Sequence, residues 1–211
     1  LHNFTLAHDD IMDNSEKRRG KATVYKKYGL KKTILTGDIL FALAYKNILK
    51  DCNSKNAKKI ISVVTEVGIN ICEGQSLDID FDVKKNVSIA DYKKMVYKKT
   101  ACFTEMCCEI SAIMCDKPDW YIRSLKRFGK YIGMAFQIQD DFLDVFGDEV
   151  SLGKKIGGDF FEGKKTFVLL KALSKAKYDD KKFFQKILNK EIETGDFDKY
   201  KNLCIKLGVL K

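Results

Sequence analysis

The stretch GMAFQIQDDFLDVF, residues 133–146, decides how this chain is read. Apart from Gln137 and Gln139 it is apolar until Asp140, Asp141 and Asp144 interrupt it, and there like charges repel and desolvation is costly unless cations compensate. It closes a predicted helix from about Asp119 to Phe146, one of the longest in the chain, with Pro118 at or near the first turn where proline is permitted. The arrangement recurs in FTLAHDDIMD, residues 4–13, which holds Asp9, Asp10 and Asp13. On a helix Asp9 and Asp13 are four apart, so their carboxylates project from one face within reach of a shared cation. Hard oxygen ligands of this kind suit magnesium, which keeps several waters and takes remaining ligands from phosphate. A single acidic cluster arises easily by chance on a helix face; two, each inside an apolar stretch, argue for bound ions.

Apolar residues at spacings of three and four predict a helix over residues 31–49, with Ile34, Leu35, Ile39, Leu40, Leu43 and Ile48 as its buried stripe. A longer helix is predicted over about 56–82. Another starts near Ser88, where SIAD resembles a capping box with Asp91 three residues on, and runs to about Cys115. SLGKKIGGDFFEGKK, residues 151–165, has the composition of a loop. Shorter helices are expected over 166–176, 180–191 and 196–207. There is no solenoid repeat and no low-complexity linker. A single proline among 211 residues, with 45% apolar and 32% charged, suits long uninterrupted helices. The fold class expected is all-α, in one domain over residues 1–211.

The net charge of +10 is spread along the chain, as in Lys31–Lys32, Lys58–Lys59, Lys84–Lys85 and Lys98–Lys99. With no basic arm and no aromatic-spaced RNA-binding motif, nucleic acid is not the expected partner, and most lysines cover solvated helix faces. The seven cysteines include no CxxC pair, and the adjacent Cys107 and Cys108 cannot form an ordinary disulfide. They are expected as buried, reduced thiols in a cytoplasmic protein. No run approaches the roughly 18 apolar residues of a transmembrane helix, and no signal-peptide pattern opens the chain. The chain opens at Leu1 inside an apolar helical pattern without a capping sequence, and LCIKLGVLK ends it without a clear terminator. The natural protein is therefore expected to continue at both ends.

A ligand of two ion-holding clusters would be polyanionic and would need direct cationic partners. Arg18 and Arg19 follow the first cluster in RRGKATVY, and the arginine fork matches phosphate oxygens. Lys154 and Lys164 flank Gly157 and Gly158 after the second cluster, in a loop flexible enough to bring amides and ammonium groups onto a diphosphate. This is not a P-loop, since GxxxxGK[ST] after a strand is missing.

These motifs together resemble the trans-type (E-type) polyprenyl diphosphate synthases. DDIMD followed by RRG is similar to their first aspartate-rich motif, FQIQDDFLDVFGD to their second, and GKKIGGDFFEGKKT to their lysine-bearing loop. EGQSLDIDF, with Gln75 and Asp78, and YKKTA, with Lys99 and Thr100, match lesser motifs in the family's order. The resemblance spans residues 1 to about 170. It implies an antiparallel helical bundle around a deep central cleft, with the two aspartate motifs on opposite walls. Asp9, Asp13 and Asp140 would be the principal Mg2+ ligands, Asp10, Asp141 and Asp144 would complete or support the clusters, and Asp159 would lie nearby. Arg18, Lys99, Lys154 and Lys164 would bind the allylic diphosphate and Arg19 would reach towards isopentenyl diphosphate. Oxygens of Lys99, Thr100 and Gln137 would face the carbocation. Lys155 stands where relatives often have proline, which leaves open whether Lys154 or Lys155 makes the phosphate contact.

The implied reaction condenses isopentenyl diphosphate with dimethylallyl, geranyl or farnesyl diphosphate, in a homodimer whose interface is expected around residues 31–82. His2 and His8 are expected to pack helices or support the site from behind. An aromatic five residues before the first motif (Phe4) and a small residue at the fourth (Thr5) resemble the twenty-carbon pattern, so geranylgeranyl diphosphate is the expected product ahead of farnesyl diphosphate. The family's N-terminal helices with their glycine-lysine-arginine motif have no counterpart here, the C-terminal helices look cut short, and Ala22 and Tyr25 replace a frequent proline and histidine. A class I terpene cyclase is expected to replace the second DDxxD with an Asn/Ser/Glu-type triad, which this sequence lacks. A non-catalytic subunit of a heteromeric synthase tends to lose aspartates from one motif, and both are intact.

Overall fold

A computed structural model describes residues 1–149 and 155–209. The chain is all-α apart from one two-residue hairpin among the described residues. It packs as two compact units, residues 1–62 and 63–211. No described helix is long and apolar enough to cross a membrane.

In the first unit, α1 (His2–Met12) ends as Asp13 leaves helical geometry with its amide still bonded to the Asp9 carbonyl. β1 (Lys17–Arg18) and β2 (Lys21–Ala22) pair antiparallel, and Arg19 and Gly20 form the two-residue turn with φ of 52° and 76°. Positive φ at both positions is what a tight hairpin turn of matching twist requires, and glycine adopts it without strain. The sequence reading missed this hairpin, because two-residue strands carry no periodicity. α2 (Val24–Tyr28) starts at Thr23, whose hydroxyl accepts the Lys26 amide at 3.0 Å. α3 (Leu30–Asp51) then packs on α1.

The stripe expected to be buried on α3 is largely exposed. Ile34, Leu35, Ile39 and Leu43 are 42%, 60%, 59% and 42% accessible, and the residues α3 buries are Thr33 and Gly37. Periodicity identified the apolar face correctly but could not say whether this chain covers it.

α4 (Ser54–Val83) leads into the second unit. The helix expected from Ser88 to Cys115 is three pieces: α5 (Ile89–Val96), a π-helical turn (Tyr97–Ala101) and α6 (Cys102–Met114). The capping box is present, with the Ser88 hydroxyl accepting the Asp91 amide and the Asp91 carboxylate accepting the Ser88 amide, both at 3.0 Å. α7 (Asp119–Phe146) follows Pro118 and lies against α6 at Gly129 and Gly133. A Cβ on Gly133 would stand 2.1 Å from the Thr104 hydroxyl, so the close approach of α6 and α7 depends on these positions being glycine. The expected loop at 151–165 contains, in its described part, a helical turn, α8 (Gly158–Phe161).

α9 (Phe167–Lys175), α10 (Tyr178–Leu188) and α11 (Asp196–Lys206) complete the second unit around a core of Val145, Phe160, Leu169, Phe184, Ile187 and Tyr200. Phe160 stacks on Tyr200 with ring centres 5.1 Å apart. The cysteines correct the expectation of buried thiols. All seven are free, but only Cys102 and Cys204 are buried, while Cys72, Cys107 and Cys115 are exposed.

Candidate active site

The first acidic cluster is organised by the hairpin. Asp10 is only 5% accessible, and Arg18 Nε donates to its Oδ1 at 2.7 Å while Arg18 Nη2 lies 3.6 Å from Asp9 Oδ2. A buried carboxylate needs such a partner, since an unpaired one would cost several kcal/mol, of order 3–5. The tight turn at Arg19–Gly20 thus carries Arg18 back over the end of α1. Asp9 is half-buried and Asp13 exposed, while Arg19 sits exposed at the turn. Burial first, then Arg19 and Arg18, hold the His2 imidazole below its ordinary range. His8 serves helix packing: its Nε2 lies 3.3 Å from the Ile34 carbonyl oxygen and 3.8 Å from Asp38.

Phe4 is buried against α3, edge-on to Phe41 at 4.8 Å, and Phe41 in turn meets Tyr45 at 5.2 Å. Thr5 is half-buried and returns its hydroxyl to the His2 carbonyl at 2.8 Å.

In the second unit the π-helical turn sets the geometry. A π turn inserts one residue into the α-helical register and is frequent at functional sites. Here it lies against α4 at Gly74, where a Cβ would come within 2.3 Å of the Lys99 amide nitrogen. Lys98 pairs with Glu73 and donates to Asn70 at 3.0 Å. Lys99 Nζ donates to Asp78 Oδ2 at 2.6 Å. Gln75, one turn before Asp78, is half-buried.

A hydrogen-bonded chain joins the π turn to the second acidic cluster. The Thr100 hydroxyl donates to Gln137 Oε1 at 3.1 Å, and Gln137 Nε2 donates to Asp141 Oδ1 at 3.2 Å. Asp141 Oδ2 accepts from the Tyr92 hydroxyl at 2.6 Å and from the Phe167 amide at 2.7 Å. Asp141 therefore serves as the acceptor for the Phe167 amide at the start of α9, where a carboxylate is favoured. Burial raises its carboxyl pKa, against the pull of the bonds from Tyr92, Phe167 and Gln137. Burial and the neighbouring Asp141 push the Tyr92 hydroxyl far above the ordinary tyrosine range, so Tyr92 remains a donor.

Asp144, also buried, accepts the Asp159 amide at 3.1 Å, and Asp140 is half-buried. Lys164 Nζ lies 3.5 Å from Asp159 Oδ1. Burial works against its charge, but Asp159, then Asp78, Glu162 and Asp141, outweigh it and hold the ammonium above the usual lysine range. Lys154 lies outside the described residues; Lys155 is exposed.

The structure thus joins Thr100, Gln137 and Asp141 in one network, pairs Lys99 with Asp78, and sets Lys164 beside Asp159. In the first unit it joins Asp9 and Asp10 to Arg18. Tyr92 was missed from sequence, where it reads as one more apolar-face residue of α5; its acceptor lies 49 positions away. Among the described residues no three acidic, histidine or cysteine side chains converge as a ready metal cage. The donor chemistry nevertheless fits magnesium, which binds through one or two carboxylates plus waters and phosphate rather than an all-protein cage.

A family model described as polyprenyl synthetase matches residues 1–204. The chain is 42% identical over 188 residues to a short chain isoprenyl diphosphate synthase of Methanothermobacter thermautotrophicus, covering 89% of this chain and 58% of the relative. It superimposes on the crystal structure of geranylgeranyl pyrophosphate synthetase from Pyrococcus horikoshii with a TM-score of 0.91 at 36% identity, covering 98% of this chain and 63% of that one. A polyprenyl synthase from Caulobacter crescentus, solved with calcium and isoprenyl diphosphate, matches with a TM-score of 0.86 at 32% identity, covering 99% and 63%. The chain therefore spans 58 to 63% of the length of these relatives.

Proposed function

The chain belongs to the polyprenyl synthetase family, and from that premise we propose that the protein is a trans-prenyltransferase that joins isopentenyl diphosphate to an allylic diphosphate, with geranylgeranyl diphosphate as its product. The observation that carries this reading is that a cationic side chain stands at or beside each acidic cluster, Arg18 at Asp9 and Asp10, and Lys164 at Asp159, whose backbone amide is bonded to Asp144. That combination suits a polyanion bound through divalent ions. A relative solved with calcium and isoprenyl diphosphate supports the same ligand chemistry.

Asp9, Asp13 and Asp140 would hold magnesium, with Asp10, Asp141 and Asp144 fixing the backbone and side chains around them. Bound there, the metal supplies Lewis-acid stabilisation of the charge that develops on the leaving diphosphate. Arg18, Lys99, Lys154 and Lys164 bind the allylic diphosphate, and Arg19 binds isopentenyl diphosphate. Release of Asp78 and Asp159 would free Lys99 and Lys164 for phosphate oxygens. The allylic carbon–oxygen bond breaks with its electron pair going to diphosphate, and the isopentenyl double bond supplies the electrons of the new carbon–carbon bond. The departing diphosphate takes the proton that restores a double bond. The Thr100 hydroxyl, bonded to Gln137, and the Gln137 amide oxygen, oriented by the bond from Gln137 to Asp141, present fixed dipoles to the cation. A magnesium titration of diphosphate release from the full-length protein tests the assignment; activity indifferent to divalent ions would refute it.

Product length follows from Phe4, which would floor the cavity one turn or so before Asp9. Phe4→Ala is expected to lengthen the product and Thr5→Phe to shorten it, read by product chromatography. An unchanged distribution in Phe4→Ala would put the floor elsewhere.

We further propose that the protein is a cytoplasmic homodimer. The exposed face of Ile34, Leu35, Ile39 and Leu43 is broad for a solvent-facing helix. Leu35→Glu/Ile39→Glu is expected to shift sedimentation of the full-length protein from dimer to monomer. Unchanged sedimentation of that variant would move the interface off α3.

A further inference from the structure

A cavity lies away from the acidic clusters. It has a volume of about 890 Å³ and lies between the segment joining α4 to α5 and the helices α9 and α10. Lys84, Lys85, Lys165 and Lys181 line it, against one carboxylate, Asp82. Lys84 is already held by Asp91 at 3.3 Å, but neither Lys85 nor Lys181 is paired with a carboxylate among the described residues. Leu170, Leu173 and Leu188 are also in its lining. The cavity thus has both ammonium groups and apolar side chains in its lining, and its volume is within the usual size of small-molecule sites, roughly 300–1,000 Å³.

We propose that this cavity is a second, non-catalytic binding site for an anionic amphiphile: a phosphate or diphosphate head on a short aliphatic tail. The head would sit among Lys85, Lys165 and Lys181, and the tail would cover the leucines. Lys165 is half-buried and its ammonium donates to the Phe81 carbonyl at 2.5 Å. Burial, and to a lesser degree Lys190, lowers its pKa against the pull of Asp82, so an arriving anion would favour its charged form. Lys165 is also the chain neighbour of Lys164, and Phe167 two residues on donates to Asp141. An anion drawing Lys165 away from Phe81 would therefore disturb the segment that carries Lys164. That consequence for catalysis rests on the prenyltransferase reading; the binding itself does not.

The test is calorimetric titration of the full-length protein, in chelator, with decyl diphosphate, inorganic pyrophosphate, and phosphatidylcholine vesicles with and without phosphatidic acid. The chelator silences magnesium-dependent binding at the acidic clusters. Decyl diphosphate is expected to bind with a Kd of roughly 1–100 μM, and pyrophosphate at least ~10-fold more weakly for want of the tail. Lys85→Glu/Lys181→Glu, at exposed positions, is expected to lower decyl diphosphate affinity at least ~10-fold while leaving the melting temperature and basal turnover unchanged. Binding confined to phosphatidic acid vesicles, and lost in the same variant, would support the site with a membrane lipid as the source of the head group. No binding of any probe, or binding unchanged by the double variant, would overturn the proposal. Asp140→Ala separates the two readings: it should lose magnesium-dependent substrate binding and retain the chelator-resistant binding.

Discussion

Replacing Asp140 or Asp9 by alanine in the full-length protein is expected to lower turnover at least ~10²-fold, the scale of removing a major electrostatic stabiliser of the transition state. The melting temperature should not move. Both side chains are half-buried rather than buried, and each is read as a ligand to an ion rather than a packing group. Steady-state assays at saturating magnesium, with thermal melts alongside, read both effects. Near-normal turnover in either variant would remove the assignment of these carboxylates to metal.

The neighbouring Asp141 should differ from them in the melt. It is 4% accessible and accepts from Tyr92, Gln137 and the Phe167 amide. Asp141→Ala would leave the Tyr92 hydroxyl and the Phe167 amide facing a cavity without an acceptor. Two such losses cost about 2–4 kcal/mol, which for a chain of this size lowers the melting temperature by roughly 5–15 °C. Turnover should also fall, because Gln137 loses the bond that orients it. A melt within a degree of wild type would mean that Asp141 is not the anchor of α9. The paired variants thus separate two adjacent aspartates that sequence alone treats as equivalent.

What was legible in the sequence follows from the range of each interaction. The Ser88 capping box is local, and it stands as read. The long helices were found because their periodicity extends over many turns. The break at Tyr97–Ala101 was not legible: YKKTA contains neither glycine nor proline, and the π turn is seen only where its backbone meets Gly74 on α4. The α3 stripe shows the limit of periodicity, which reports that a face is apolar but not what covers it. Both acidic clusters were visible from spacing, but their internal division of labour was not. Asp10 and Asp141 are tied up by Arg18 and by Tyr92 with Phe167, partners brought in by a hairpin turn and by tertiary packing. Tyr92 carried no signal of its own, since only its acceptor on another helix distinguishes it from a core aromatic.

The central claim is that the protein performs magnesium-dependent allylic transfer, and chromatography of the products from labelled isopentenyl diphosphate and farnesyl diphosphate tests it most directly. With the full-length protein and magnesium, the label should appear in geranylgeranyl diphosphate together with one released diphosphate per condensation, and chelation should abolish both. Farnesyl diphosphate converted to a cyclised hydrocarbon with the label left in isopentenyl diphosphate, or no incorporation of label at any magnesium concentration, would contradict the account.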